Sequence, residues 1–225
     1  LGNIRRFTYT GNTIYYNPAV TYGAWLDATG TPQTGGTDYS SAFASFNYAS
    51  DPIDLANTAS CVNVDYNGAT PTVCGGTQTF YVPKDTTNNA VVYLSDAANY
   101  YRYQIHTDGA VVRSEGQNIS MVESVTGRNC PTGAAGAWNW KNCTYVTPTG
   151  RTEAAERQNY ATWFSFHRSR MKTAKAGSGS AFSDIGKDVR VGFRTIWGRD
   201  LGGNPMTEAS PILVNRNDGI FDDPN

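Results

Sequence analysis

Four cysteines constrain this 225-residue chain more than any other feature. They form two pairs of equal separation, Cys61 with Cys74 and Cys130 with Cys143. Zinc sites usually gather their ligands as close C-x-x-C pairs with further Cys or His. This chain has no such pair and two histidines, so a metal role is the weaker reading. Four cysteines allow three connectivities. Sequential pairing closes two short local loops and requires no long-range coincidence, each bridge contributing about 3 kcal/mol on the chain-entropy estimate. Two such bridges imply an exported protein; the alternative is four buried thiols in a reducing compartment.

The stretch from 1 to about 150 reads as strands and turns. Cys61-Val62-Asn63-Val64-Asp65-Tyr66 alternates apolar and polar, meets Asn67-Gly68, and returns through Thr72-Val73-Cys74. That pattern predicts a hairpin with a disulfide across its ends. Thr79–Val82 and Val91–Leu94 flank a polar connection over Lys84–Asn89 and predict a second hairpin. Tyr100–Ile105 is rich in strand formers, Asp108-Gly109 turns the chain into Ala110-Val111-Val112, and Asn118–Val125 supplies a further strand. The second cysteine loop carries Trp138 and Trp140, whose i, i+2 spacing puts both rings on one side of an extended segment. Exposed, they would suit a sugar or a protein partner. Otherwise they cap a local core beneath the loop.

From 151 to 225 the character changes. Tyr160, Trp163, Phe164, His167, Met171 and Ala174 follow the single-face spacing of one amphipathic helix. Thr152 is its expected N-cap, with Glu153 and Glu156 in the first turns. Arg168, Arg170, Lys172 and Lys175 load the far end and read as a solvated face that complements the helix dipole. Gly177-Ser178-Gly179 is expected to end or interrupt the helix, a short helical or turn piece follows around Ala181–Ile185, and Val189, Val191 and Phe193 alternate through a strand that ends at Trp197. A helix followed by a strand is what an α/β layer requires.

Charge excludes several partners. With 18 Lys+Arg against 19 Asp+Glu the net charge is −1, and no overall field favours nucleic acid or an anionic membrane. Residues 1–150 hold 7 basic and 10 acidic side chains and residues 151–225 hold 11 and 9, a mild asymmetry. No apolar run approaches the length of a membrane span, and Leu1–Arg6 does not open a signal peptide.

Catalytic signatures are missing. Neither H-E-x-x-H nor G-x-S-x-G occurs. His167 lies on the apolar stripe and reads as a packed histidine with one satisfied nitrogen, while His106 is an unassigned surface residue. The acids leave a glycosidase-type carboxylate pair open. Gly177-Ser178-Gly179-Ser180 lacks a P-loop lysine and follows a helix rather than a strand. In Asn215–Asp223, an EF-hand register on Gly219 puts Val214 first and Arg216 third, so a solvated turn is the better reading.

Two segments carry a resemblance. Tyr15-Tyr16-Asn17-Pro18-Ala19-Val20-Thr21-Tyr22-Gly23-Ala24-Trp25 resembles the Y-Y-N-P-x-V-x-Y-x-x-W signature of the large type IV pilus tip-associated adhesins, the PilC/PilY family of pilus biogenesis factors. Glu156-Arg157-Gln158-Asn159-Tyr160-Ala161-Thr162-Trp163-Phe164-Ser165-Phe166-His167-Arg168-Ser169-Arg170-Met171, with Lys175, Ala181-Phe182 and Arg190-Val191-Gly192-Phe193 downstream, is similar to that family's N-F-A-x-W-Y-S-Y-Y-R-x-R-M helix and R-V-G-F strand. His167 stands where the family usually has tyrosine. The motifs cover about a quarter of the chain directly.

The resemblance implies an α/β protein, α+β overall, with a partial von Willebrand factor A-like domain. Residues 1–150 would hold its β-rich, disulfide-stapled insertion and residues 151–225 a helix and strand of its core. It implies an internal piece of a longer polypeptide, exported to the cell surface at the pilus tip, the outer membrane or the periplasm. Its implied role is non-enzymatic adhesion, pilus assembly and twitching motility, with minor pilins and a host or abiotic surface receptor as partners. The family's D-x-S-x-S metal motif is not met, since Asp38-Tyr39-Ser40-Ser41-Ala42 has alanine in place of the second serine, and the calcium-binding C-terminal propeller would lie elsewhere in a longer parent. No metal or cofactor is therefore expected in this chain. The rival reading is a secreted carbohydrate-binding or carbohydrate-active domain. A filament subunit would need a long apolar N-terminal helix, which this sequence does not have.

Overall fold

The computed structural model of the chain describes residues 4–27, 30–45, 52–64, 72–115, 128–129, 144–145 and 149–183. The chain divides into two compact units, Leu1–Ala24 with Thr34–Ala176, and Trp25–Gln33 with Gly177–Asn225. In the first, a 3-10 turn at Ile4–Phe7 precedes a run of turns through the tyrosine-rich segment. β1 (Ala42–Phe43) then pairs with β2 (Pro52–Ile53), and β3 (Cys61–Asn63) with β4 (Thr72–Cys74). β5 (Gln78–Pro83), the short helix α1 (Val91–Ser95), β6 (Tyr100–Ile105) and β7 (Val111–Glu115) follow, and the three strands form a sheet in the order β5-β6-β7. β8 (Arg128–Asn129) pairs with β9 (Thr144–Tyr145). Two helices come last, α2 (Glu153–Phe166) and α3 (Arg170–Ser183). The described residues thus combine helices with small sheets whose pairings are all antiparallel.

The cysteine hairpin forms as its alternation predicts. Cys61 stands directly opposite Cys74 and is bonded to it, while Val62 and Val73 pack against the core from the other face. Its Asn67-Gly68 turn lies outside the described residues. The Tyr100–Ile105 strand and the Asp108-Gly109 turn also form. Gly109 takes φ +87°, and Ala110 N–H donates to Asp108 Oδ1 at 3.1 Å.

The expected partner of Thr79–Val82 was misplaced. Val91–Leu94 is not a strand but most of α1; β5 pairs instead with β6, Phe80 opposite Tyr103 with their rings stacked 5.1 Å apart. Burial explains the difference. Val92 is 85% exposed and only Leu94 of this segment is buried, in a small cluster with Ile4, Tyr81 and Tyr100, so a two-residue alternation has no second layer to face. Ser95 Oγ closes the helical turn onto Val91 O at 2.6 Å.

The expected single helix is two. α2 ends at His167, whose N–H still reaches Trp163 O at 2.8 Å. Ser169 starts α3 by accepting Lys172 N–H on its hydroxyl and Thr173 N–H on its carbonyl. The stripe therefore fails beyond the break, and Met171 and Ala174 are exposed. α3 continues through Gly177-Ser178-Gly179, where a helix end was expected. The basic residues also depart from a wholly solvated face. Lys172 is 1% exposed and donates to the carbonyls of Phe43 (2.7 Å) and Phe164 (3.0 Å). Arg168 donates to Ala44 O at 3.1 Å and lies over the Phe164 ring. Both serve carbonyls that the ends of α2 and β1 leave unsatisfied; Arg170 and Lys175 are exposed.

α2 is the centre of the core. From Asn159 to Phe166 every residue is buried, so the helix is covered on all sides rather than along one stripe. Tyr160, Ala161, Trp163 and Phe164 pack with Tyr16, Phe80, Tyr103, Ile53 and Leu55. Its buried hydroxyls find partners both on distant segments and within the helix. Ser165 Oγ donates to Gly36 O at 2.6 Å and accepts Phe43 N–H at 2.8 Å, and Thr162 Oγ1 donates to Gln158 O. In the second unit, Leu26 and Pro32 form an isolated bridge closed by Gln33 N–H to Trp25 O, with Trp25 buried. The strands read at 118–125 and 189–197 lie outside the described residues.

Candidate functional site

The segment Tyr15–Gly23 and the helix α2 meet along one seam. Thr152 caps the helix as expected, its hydroxyl accepting Ala155 N–H at 3.2 Å. Glu156, Asn159, Trp163 and His167 then face the segment at i, i+3, i+7 and i+11. Tyr16 OH donates to Glu156 Oε1 at 2.5 Å, and Asn159 Nδ2 donates both to Tyr16 OH (2.8 Å) and to Val20 O (2.9 Å). Asn159 Oδ1 in turn accepts Tyr22 N–H at 2.9 Å. Trp163 Nε1 reaches Ile14 O at 2.9 Å, and His167 Nε2 bonds Gly23 O at 2.8 Å. Arg151, ahead of the helix, donates to Pro18 O, Val20 O and Thr21 Oγ1 and stands 3.6 Å from Glu156 Oε2.

Tyr16, Asn17 and Tyr22 organise the tyrosine-rich motif in this seam. Tyr16 is buried, with its ring edge-on to Phe80, Tyr160 and Trp163. Asn17 folds the chain back by accepting Ala19 N–H on Oδ1, and its own N–H is taken by Tyr22 OH. These bonds hold the segment, with its Asn17–Val20 turn, against the helix without any regular secondary structure.

Burial dominates the electrostatics. It raises the pKa of Glu156, opposed by the Tyr16 hydrogen bond and by Arg151, and it raises that of Tyr16, with the Glu156 charge adding to the effect. Burial also lowers the pKa of His167 against the Gly23 carbonyl, which favours neutral imidazole with its proton on Nε2. His167 is thus the packed histidine the stripe implied, half-buried beside Tyr22.

A cavity of about 330 Å³ opens beside the seam. Ile14, Tyr15, Tyr81 and Trp163 form much of its wall, Thr79 contributes a hydroxyl, and Phe7 stands 49% exposed at its edge with its ring edge-on to Tyr15 at 6.3 Å. Its walls are mostly aromatic, and no Asp, Glu, His or Cys lines it among the described residues. Such a surface can bind an apolar group.

The structure brings Cys61 and Cys74 together as a disulfide. Cys130 and Cys143 lie outside the described residues, and the β8/β9 pairing of Asn129 with Thr144 ends one residue short of each. Trp138, Trp140 and the acidic stretch 215–223 are also outside them. His106 sits at the β6-β7 turn, half-buried. The Asp38 segment does not suit a metal site of the D-x-S-x-S kind. Asp38 Oδ1 accepts from Ser40 N–H and Oγ, and Ala42 in β1 has no side-chain hydroxyl where the motif requires one. No group of His, Cys, Asp and Glu able to hold a metal occurs among the described residues.

Sequence reasoning missed the residues that build the seam. Residue patterning gives Glu156 only a first-turn place and Arg151 no role, and Asn159 enters only within the segment that carries the resemblance. The available signal was two polar side chains, Glu156 and Asn159, in line with an apolar stripe, a pattern that demands buried partners. No family model, curated protein or solved structure matches the chain.

Proposed function

We propose that this chain is a non-enzymatic adhesion and assembly module of a type IV pilus tip, related to the PilC/PilY adhesins. In this reading α2 belongs to a von Willebrand factor A-like core, and the stapled hairpins form its variable outer surface. One observation carries the reading. The two segments that resemble the family, more than 130 residues apart, are hydrogen-bonded to one another through Tyr16, Val20, Tyr22, Glu156 and Asn159. Two unrelated chance likenesses would have no reason to be halves of one buried network. The Cys61–Cys74 disulfide supports an exported location. Minor pilins and a host or abiotic surface receptor are the partners this role requires.

The test is an immunoblot of sheared surface filaments beside culture supernatant and cytosol. Signal concentrated in the filament fraction is expected. Signal confined to the supernatant would replace this reading with that of a secreted carbohydrate-binding domain, and signal confined to the cytosol would remove both.

A further inference from the structure

A second cavity, of about 320 Å³, lies between residues 37–39 and the first two turns of α2. Thr37, Asp38, Tyr39, Ala154, Arg157 and Gln158 line it, and all but Ala154 are polar. Arg157 is held in place from behind, its Nη1 donating to Gly109 O in the β6-β7 turn. Gly109 has φ +87°, and a Cβ there would lie 3.0 Å from Nη1 and 3.1 Å from Cζ, so a side chain at 109 would press on the guanidinium. A guanidinium has five N–H donors in a planar fork. This one spends Nη1 on Gly109 and has no carboxylate partner among the described residues.

The other lining groups are similarly uncommitted. Tyr39 is 8% exposed, and its hydroxyl is buried without a hydrogen-bond partner. The Thr37 hydroxyl and the Gln158 amide make no side-chain hydrogen bond among the described residues. Asp38 is the exception. Ser40 N–H and Oγ fix its Oδ1 at 3.0 and 2.9 Å and hold it ionised, so it can only accept. A positioned guanidinium, a positioned carboxylate and the neutral polar residues Thr37, Tyr39 and Gln158 therefore line one space.

We infer that this cavity binds one acidic sugar residue, a pyranose bearing a carboxylate, with the carboxylate on Arg157 and hydroxyls on Asp38, Gln158 and Thr37. The planar fork matches a carboxylate or a phosphate, and the Asp38 carboxylate lining the same space repels the singly charged carboxylate less than a doubly charged phosphate. Asp38 requires donors at a distance from that carboxylate, which ring hydroxyls provide. A free amino acid would satisfy the two charges and leave the neutral groups unpaired. The inference deepens the adhesion reading, on which it rests, by naming the receptor chemistry.

The test is calorimetric titration of the purified chain with glucuronic acid, with glucose, acetate and glycine as controls. Saturable binding of glucuronic acid is expected, with each control at least about tenfold weaker. Arg157→Gln should weaken it at least about tenfold. Gln158→Ala, at an exposed position on α2, should weaken it severalfold with an unchanged melting temperature, which separates lost recognition from lost folding. Absent glucuronic acid binding, acetate or glycine binding as tightly, or full affinity in both variants would overturn the assignment. Because the isolated chain is titrated, failure here leaves the filament localisation standing, and failed localisation leaves the binding result standing.

Discussion

Lys172 carries its amine inside the fold, between the carbonyls of Phe43 and Phe164. Burial, with the Arg168 charge beside it, pushes its pKa from 10.5 down to about 6. Between those values the unfolded chain binds a proton that the folded chain refuses, so stability rises with pH above about 6 and is lost as pH falls back toward it. Urea unfolding should show that rise between about pH 6 and 9, and Lys172→Met should flatten it; parallel curves would refute the burial. Glu156 has the opposite sign. Its raised pKa means that the folded state keeps the proton longer, so stability is fullest in acid and is lost as pH rises through the folded pKa. The stability of the wild type relative to Glu156→Gln should therefore fall from about pH 4 toward neutrality, and a pH-independent difference would show that the carboxyl is solvated. Neither behaviour could be read in the sequence. Lys172 looked like one of four helix-end cations, and Glu156 like an acid placed for the dipole. What changed them was a segment arriving from elsewhere: β1 for the lysine, and Tyr16, 140 residues away, for the glutamate.

α2 and the stapled hairpin make the predictions at the scale of elements. Trp163→Ala removes a buried ring and the indole bond to Ile14 O, and should cost about 3 to 5 kcal/mol in chemical denaturation. An unchanged midpoint would remove Trp163 from the core. Replacing Cys61 and Cys74 by serine opens a loop of sequence separation 13 and should cost about 3 kcal/mol, while the α2 helical signal persists under native conditions. Simultaneous loss of both would show that the hairpin is not a separable element. The hairpin was legible because alternation, turn residues and a cysteine at each end all point the same way. α1 was not, because Val91 and Val92 prefer strands and only tertiary pairing shows that β6 already occupies the inner edge of β5. The break at His167 was hidden by a stripe that continues on paper for two turns, while Ser169, a good N-cap, starts a second helix.

For the whole chain, thiol titration in denaturant should find none of the four cysteines free. Two free thiols would limit the staples to the Cys61–Cys74 bridge, and four would contradict that bridge as well. The change of character near residue 150 is one of composition. In packing, α2 belongs with the strands that precede it, because its buried half supplies the rings that Phe80, Tyr103 and Tyr16 pack against. Local patterns written into neighbouring residues were enough to define the hairpins at 61–74 and 100–111, the N-cap at Thr152 and the start of the helix that follows it, since each depends on interactions within a few positions. The meeting of Tyr16 with Glu156, the burial of Lys172 and the convergence of Asp38 with Arg157 were decided only when the chain closed on itself. Their partners lie far apart in sequence, and a buried polar group takes its properties from the distant groups that replace water around it.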